Sequence, residues 1–167
     1  AYMTSVSVII PAYNSASTII RALQSVAAQT LAPLEIIVVD DASSDATRDL
    51  VATFASSSPI PVRVLTQTTN SGPSAARNAG WDKATGEYIA FLDADDIWHP
   101  NKLQRQIEVL EITKARFCST KMVDFVESTE VKLNDALSSD YEWVSFLQQL
   151  IRNRTPTSSV IVEKSLI

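Results

Sequence analysis

Four short strand-like runs, Val6–Ile10, Leu34–Val39, Pro61–Leu65 and Glu87–Leu92, alternate with three stretches of helical period. Most of their positions are apolar, the pattern of strands whose sheet is covered on both faces. Between them, Ser15–Gln29 sets Ile19, Ile20, Leu23, Val26 and Ala27 on one helical face, with Ser15 or Ser17 as a capping candidate. Asp45–Ala55 repeats the pattern with Leu50, Val51 and Phe54, and Pro73–Thr85 is a helix rich in small residues that stops at Gly86. This order predicts a mostly parallel sheet with helices on both faces. Beyond Pro100 the spacing of Leu103, Ile107 and Leu110 predicts a longer helix. Arg116–Val126 reads as a strand pair or one long strand, Tyr141–Ile151 as an amphipathic helix and Thr157–Val162 as a last strand. With 167 residues, no internal repeat and no linker, the expected organisation is one domain, 1–167.

In an open α/β sheet, ligands bind beyond the carboxyl ends of the strands. Three loops there are polar or acidic: Pro11-Ala12-Tyr13-Asn14, Asp40-Asp41-Ala42-Ser43-Ser44 and Asp93-Ala94-Asp95-Asp96. Gathered acids cost stability unless something pairs them. Asp93 and Asp95, one residue apart, can both reach a hard cation such as Mn²⁺ or Mg²⁺, which takes oxygen ligands and keeps sites open for phosphates. Asp96 is a candidate cap for the helix after Pro100. Of the adjacent pair Asp40 and Asp41, one can hold the turn while the other faces the crevice. Ser43, Ser44 or Asp45 could cap the next helix alone. Tyr13 offers a flat face for stacking on a base, or packs at the loop edge. Asn14 binds ligand or turns the chain. Arg77 pairs with the acidic loops, with a phosphate or with a surface carboxylate. His99, the one histidine, reads as a helix-start residue, and Trp81 and Trp98 as packing residues.

Composition narrows the partners. The chain is 46% apolar and 20% charged, with a net charge of −5 and no basic stripe, which argues against a nucleic-acid partner. No apolar run approaches the roughly 20 residues of a membrane span, which leaves peripheral contact with a membrane open. The single cysteine, Cys118, lies in an apolar stretch and reads as an inert core thiol in a reducing compartment.

Val6–Asn14, Ile36–Asp45, Gly72–Gly80 and Gly86–Trp98 together, in this order and at this spacing, resemble the inverting family-two glycosyltransferases. The resemblance implies a GT-A fold: Rossmann-like, with a nucleotide-sugar-binding half at 1–104 and the start of an acceptor half at 105–167, its C-terminal part truncated. It implies transfer of a sugar from a nucleoside diphosphate, UDP foremost, to a glycan or lipid-linked glycan, in the cytoplasm or at the inner face of its membrane. By position, Pro11, Ala12, Tyr13 and Asn14 match the loop at the base, and Asp41 matches the aspartate that contacts it. Arg77 matches a residue on the nucleotide side. Asp93 matches the Asp-x-Asp member nearer the ribose and Asp95 the metal-binding member. Thr157–Val160 resembles the strand leading to the acceptor half. The base of an inverting displacement is expected beyond Ile167, because Asp124, Glu127, Glu130, Asp135, Asp140, Glu142 and Glu163 match no such acid.

Two other classes share parts of the pattern. A receiver-like signalling domain would use Asp40, Asp41 and Asp93, but a full strand and helix precede the acidic pair, and no later strand ends in a suitable lysine. A nucleotidyltransferase would share fold and metal, yet its first loop would be rich in glycine and basic residues. A dinucleotide-binding module is disfavoured by three glycines in all and no G-x-G-x-x-G.

Overall fold

The computed structural model describes residues 4–120, 122 and 156–166. The helix expected over 141–151 lies outside the described residues, as do Asp124, Glu127, Glu130, Asp135, Asp140 and Glu142. Strands β1 (Val6–Ala12), β2 (Glu35–Asp40), β3 (Val62–Thr66) and β4 (Tyr88–Phe91) are joined by helices α1 (Ile19–Ala27), α2 (Thr47–Ser57) and α3 (Pro73–Lys83). Helix α4 (Lys102–Thr113) and strands β5 (Phe117–Ser119) and β6 (Val160–Glu163) follow, with a 3₁₀ turn at Thr157–Ser159 leading into β6.

The six strands form one sheet in the order β3-β2-β1-β4-β6-β5. The first four are parallel, and β6 runs antiparallel to both of its neighbours. The expected mostly parallel α/β sheet is therefore present. Every residue of β1 and β2 is buried, as their apolar runs require. One face of the sheet packs Val8, Ile10, Ile36 and Val38 against Leu23 of α1, Val51 of α2 and Leu103 of α4. The other packs Ile9, Ile37 and Val39 against Ala76 of α3. Each such aliphatic side chain contributes roughly 1.5–3 kcal/mol when fully buried.

Helix α3 lies close to the sheet because position 80 is glycine. A Cβ there would sit 2.6 Å from Ile9 Cγ2 and 3.2 Å from Val39 Cγ2. The chain thus winds outward from β1 to β3 with α1 and α2 on one face, then returns by α3 on the other to β4. Strand order reverses between β1 and β4, which is the switch point where open α/β sheets bind ligands.

Some boundaries differ from the sequence reading. Strand β1 runs through Pro11 to Ala12 instead of ending at Ile10. Along a parallel strand, successive residues point their backbone groups to alternate neighbours. The Val6 and Ala12 carbonyls accept from Leu34 and Asp41 on the β2 side, and the Ile9 carbonyl from Leu92 on the β4 side. Pro11 therefore faces β4, which has ended at Phe91, and its missing N–H breaks no ladder bond. Helix α1 begins at Ile19 instead of Ser15, because the Ser15 carbonyl accepts from Thr18 and Ile19 in a tight turn. The last strand starts at Val160, since Thr157–Ser159 curls into its 3₁₀ turn first. Of the strand expected over 116–126, the described part is Phe117–Ser119.

Candidate active site

Beyond the carboxyl ends of β1, β2 and β4 lies an open cleft of about 440 Å³. Every residue singled out for binding lines it: Pro11, Ala12, Tyr13, Asn14, Asp41, Arg77, Asp93 and Asp95. Sequence reasoning did not assign Ser15, Thr18, Asn70, Gly72, Pro73, Ala76 and Ala94, which line it too. Gly72 and Pro73 carried a signal, since a glycine before a proline at a helix start marks a turn aimed at the strand ends. Gly72 adopts φ +87, which other residues rarely do.

The loop after β1 is held by side chains of the loop after β2. The Asn14 N–H donates to Ser43 Oγ at 2.9 Å, the Ser15 N–H to Thr47 Oγ1 at 2.8 Å and the Ala16 N–H to Asp45 Oδ2 at 3.0 Å. Asn14 sits at φ +46, and its side-chain oxygen accepts from the N–H groups of Ser44 (2.9 Å) and Asp45 (3.3 Å). Of its two readings, Asn14 thus turns the chain while lining the cleft. Asp45 Oδ1 accepts the Thr47 N–H at 3.0 Å from one residue before the cap. The N-cap of α2 is Ala46, which has no side-chain oxygen to give, so none of Ser43, Ser44 and Asp45 occupies the capping position expected for them. The Thr47 hydrogen bond, aided by the Ala16 N–H and outweighing a small desolvation, holds the Asp45 carboxyl below the usual aspartate range. In the midst of these ties Tyr13 stays 51% exposed, its ring unburied at the cleft edge.

The paired acids divide as anticipated. Asp40 Oδ2 accepts the Ser43 N–H at 3.3 Å and lies 3.7 Å from Arg48 Nε, so this buried acid holds the turn. Asp41 faces the cleft, and it has structural partners as well. Its Oδ1 accepts the Ser71 N–H at 2.8 Å and its Oδ2 the Gly72 N–H at 2.7 Å, fixing the turn that starts α3. Each oxygen retains a lone pair for a further donor.

Arg77 projects from the first turns of α3 and donates to Asp93 Oδ1 at 2.6 Å. Its side chain is 20% exposed, and its Nε is buried without a partner. Asp93 Oδ2 makes no hydrogen bond among the described residues. Asp95 is exposed at the lip and forms neither a hydrogen bond nor an ion pair within the described residues. No group of three or more His, Cys, Asp or Glu able to enclose a metal occurs among the described residues. Two carboxylates with open coordination nonetheless fit a Mg²⁺- or Mn²⁺-type ion, which takes one or two protein carboxylates plus substrate phosphate oxygens. The lining carries one cationic side chain, Arg77, against three acids, so a diphosphate placed here needs further positive charge. The N-terminal end of α3, at Gly72 and Pro73, opens on the same space and favours anions.

The other residues fall into supporting places. His99 Nδ1 accepts the Asn101 N–H at 3.2 Å at the start of α4, its expected place. Trp98 is buried and donates from Nε1 to the Ser158 carbonyl, and Trp81 stacks on Phe91 with ring centres 6.2 Å apart. Cys118 is half-buried on β5, and burial pushes its thiol upward against a Gln106 hydrogen bond and the Lys102 charge. No helix of the described residues is long and apolar enough to cross a membrane.

The family model for glycosyl transferase family 2 matches residues 7–164. A curated relative, the Escherichia coli UDP-Glc:alpha-D-GlcNAc-diphosphoundecaprenol beta-1,3-glucosyltransferase WfgD, is 45% identical over 105 residues, covering 63% of this chain and 40% of the relative. The crystal structure of S. aureus TarS 1-349 in complex with UDP superposes with a TM-score of 0.76 at 28% identity, over 98% of this chain and 48% of that one. The Pyrobaculum calidifontis mannosyltransferase PcManGT, solved with GDP-Man and Mn²⁺, gives a TM-score of 0.66 at 31% identity, over 71% of this chain and 36% of that one. The matched stretch spans between 29% and 40% of the length of the first three curated relatives.

Proposed function

The chain belongs to glycosyl transferase family 2, and on that premise we propose that its cleft binds the nucleoside diphosphate of a sugar donor, UDP foremost, for transfer of the sugar to a hydroxyl acceptor. The observation that carries this reading is the convergence of Tyr13, Asp41, Arg77, Asp93 and Asp95 on one cleft at the switch point. The UDP complex of TarS and the UDP-Glc in the name of WfgD support a uridine donor. The family match over 7–164 takes the place of the receiver-like and nucleotidyltransferase alternatives.

Each side chain has a part by its chemistry. The exposed Tyr13 ring stacks on the base. Asp41, rigid because Ser71 and Gly72 hold both of its oxygens, accepts a base N–H or a ribose hydroxyl. Asp93, turned by Arg77, accepts from the ribose. Arg77 and the start of α3 face the diphosphate. A divalent cation at Asp95, with Asp93 beside it, would neutralise charge building on the leaving diphosphate. The Mn²⁺ complex of PcManGT supports such an ion. With inversion, the acceptor hydroxyl must lose its proton to a base. Among the described residues that line the cleft no acid is left for that role, since Asp41 and Asp93 already hold donors and Asp95 would take the ion. Residues 1–104 form the donor half in this reading, and 105–167 begin the acceptor half. The diphosphoundecaprenol in the name of WfgD supports a lipid-linked glycan acceptor met at the inner face of a membrane.

Calorimetric titration of UDP, first with Mn²⁺ and then with EDTA, tests the reading on wild type and Asp95→Ala. Binding that requires Mn²⁺ and disappears in the variant is the expected result. Equal binding in EDTA would remove the metal, and no binding under any condition would remove the nucleotide.

A further inference from the structure

Resting on the reading of Asp93 and Asp95 as the metal side of a nucleotide site, we propose that Ser158 is a positioning residue that sets the geometry of the acidic loop from the turn entering the neighbouring strand β6. The loop leaves β4 after Phe91 and reaches α4 through Trp98. Both of its ends are tied to this one serine. The Asp93 N–H donates to Ser158 Oγ at 2.9 Å, and Trp98 Nε1 donates to the Ser158 carbonyl at 2.8 Å. Between these ties the Asp96 N–H closes a turn on the Asp93 carbonyl at 3.0 Å, and Ala94 is buried. Asp95 is thereby the residue pushed outward into the cleft.

The anchor is itself immobilised. Ser158 is 2% exposed, in the 3₁₀ turn that enters β6. Its neighbour Ser159 donates from N–H and Oγ to the Pro156 carbonyl, at 3.0 and 2.6 Å, and accepts from Gln106 Nε2 of α4 at 2.8 Å. The Trp98 N–H adds a bond to Ser25 Oγ of α1 at 3.1 Å. A metal site built from two carboxylates one residue apart depends on their mutual spacing, and a misplaced ligand costs affinity without touching the ion. The Ser158 hydroxyl holds the backbone of one of those carboxylates, and Ser158 is not itself among the residues lining the cleft.

The test compares wild type, Ser158→Ala, Ser158→Thr and Trp98→Phe. For each, the Mn²⁺ concentration giving half-maximal UDP binding, the UDP affinity in EDTA, the melting temperature and the deuterium exchange of residues 92–98 are measured. Ser158→Ala should raise the Mn²⁺ requirement by about tenfold, the scale of one lost hydrogen bond. Exchange at 92–98 should quicken, while any binding in EDTA stays as in wild type. Ser158→Thr, which keeps the hydroxyl, should restore most of the Mn²⁺ response, and Trp98→Phe should shift it in the same direction through the other end of the loop. An unchanged Mn²⁺ requirement and unchanged exchange in folded Ser158→Ala would overturn the proposal while leaving the site reading intact. If that variant does not fold, a wild-type Mn²⁺ requirement in Trp98→Phe overturns it. Wild type that binds UDP without regard to Mn²⁺ would overturn both.

Discussion

At the scale of single residues, the site is made by side chains that solve backbone problems first. Asn14 takes a left-handed conformation and accepts N–H groups from the next loop. Replacing it with alanine removes that acceptor and puts at positive φ a residue that adopts this conformation less readily than asparagine. Asn14→Ala should lower stability by about 1–2 kcal/mol in urea unfolding and weaken UDP binding, because Tyr13 loses its fixed neighbour. Arg77→Ala should weaken UDP binding in Mn²⁺ by more than tenfold, since it removes the one cation of the lining, and calorimetry would show it. The residue types gathered at the cleft were legible in the sequence, because polar and acidic groups at the ends of buried strands need partners. Their hydrogen bonds were not. Asp41 reaches Ser71 and Gly72, and Ser158 reaches Asp93, over sequence distances that no local pattern reports.

At the scale of elements, the strands were readable because a sheet covered on both faces demands nearly unbroken apolar runs, as in Ile36–Val39. Helix starts were less so. Ser15 looks like a cap in isolation, yet its N–H is taken by Thr47 and its carbonyl closes a turn, so α1 waits until Ile19. The small residues of α3 were read as allowing close approach, and Gly80 shows how close. In a solvent-facing helix Gly→Ala would stabilise by about 1 kcal/mol. Here the added methyl meets Ile9 and Val39, so Gly80→Ala should instead destabilise by about 1–3 kcal/mol, measured by thermal melting. It should also lift the helix that carries Arg77.

At the scale of the whole molecule, two buried ionisable groups, one at the start of β2 and one on α4, shape the response to pH. Glu35, at the start of β2, is raised by burial, but Ser7 and Thr85 hydrogen bonds and the Arg63 charge outweigh this and leave it below its ordinary 4.5. Its contribution is fully present above about pH 4.5 and is lost as pH falls through the lower folded value. Glu35→Gln should flatten that acid limb. Lys102, 7% exposed with no carboxylate partner among the described residues, is driven down to about 7 from 10.5 by burial, though Gln106 Oε1 at 2.6 Å and the Trp98 ring at 4.2 Å recover part of the cost. The folded chain thus binds fewer protons than the unfolded one between about pH 7 and 10.5, and stability rises with pH across that window. Melting temperatures should climb from pH 7 to about 9.5 in wild type and level off in Lys102→Met, a difference on the order of a few kcal/mol. The position of β6 between β4 and β5 has a consequence in time. The four parallel strands and their crossovers can assemble from residues 6–91, whereas the Asp93–Ser158 tie closes a loop of 65 residues. Long loops are slow to close. The framework of the cleft is thus expected to form first in folding, with the spacing of its two outermost acids fixed only when the segment carrying Ser158 arrives.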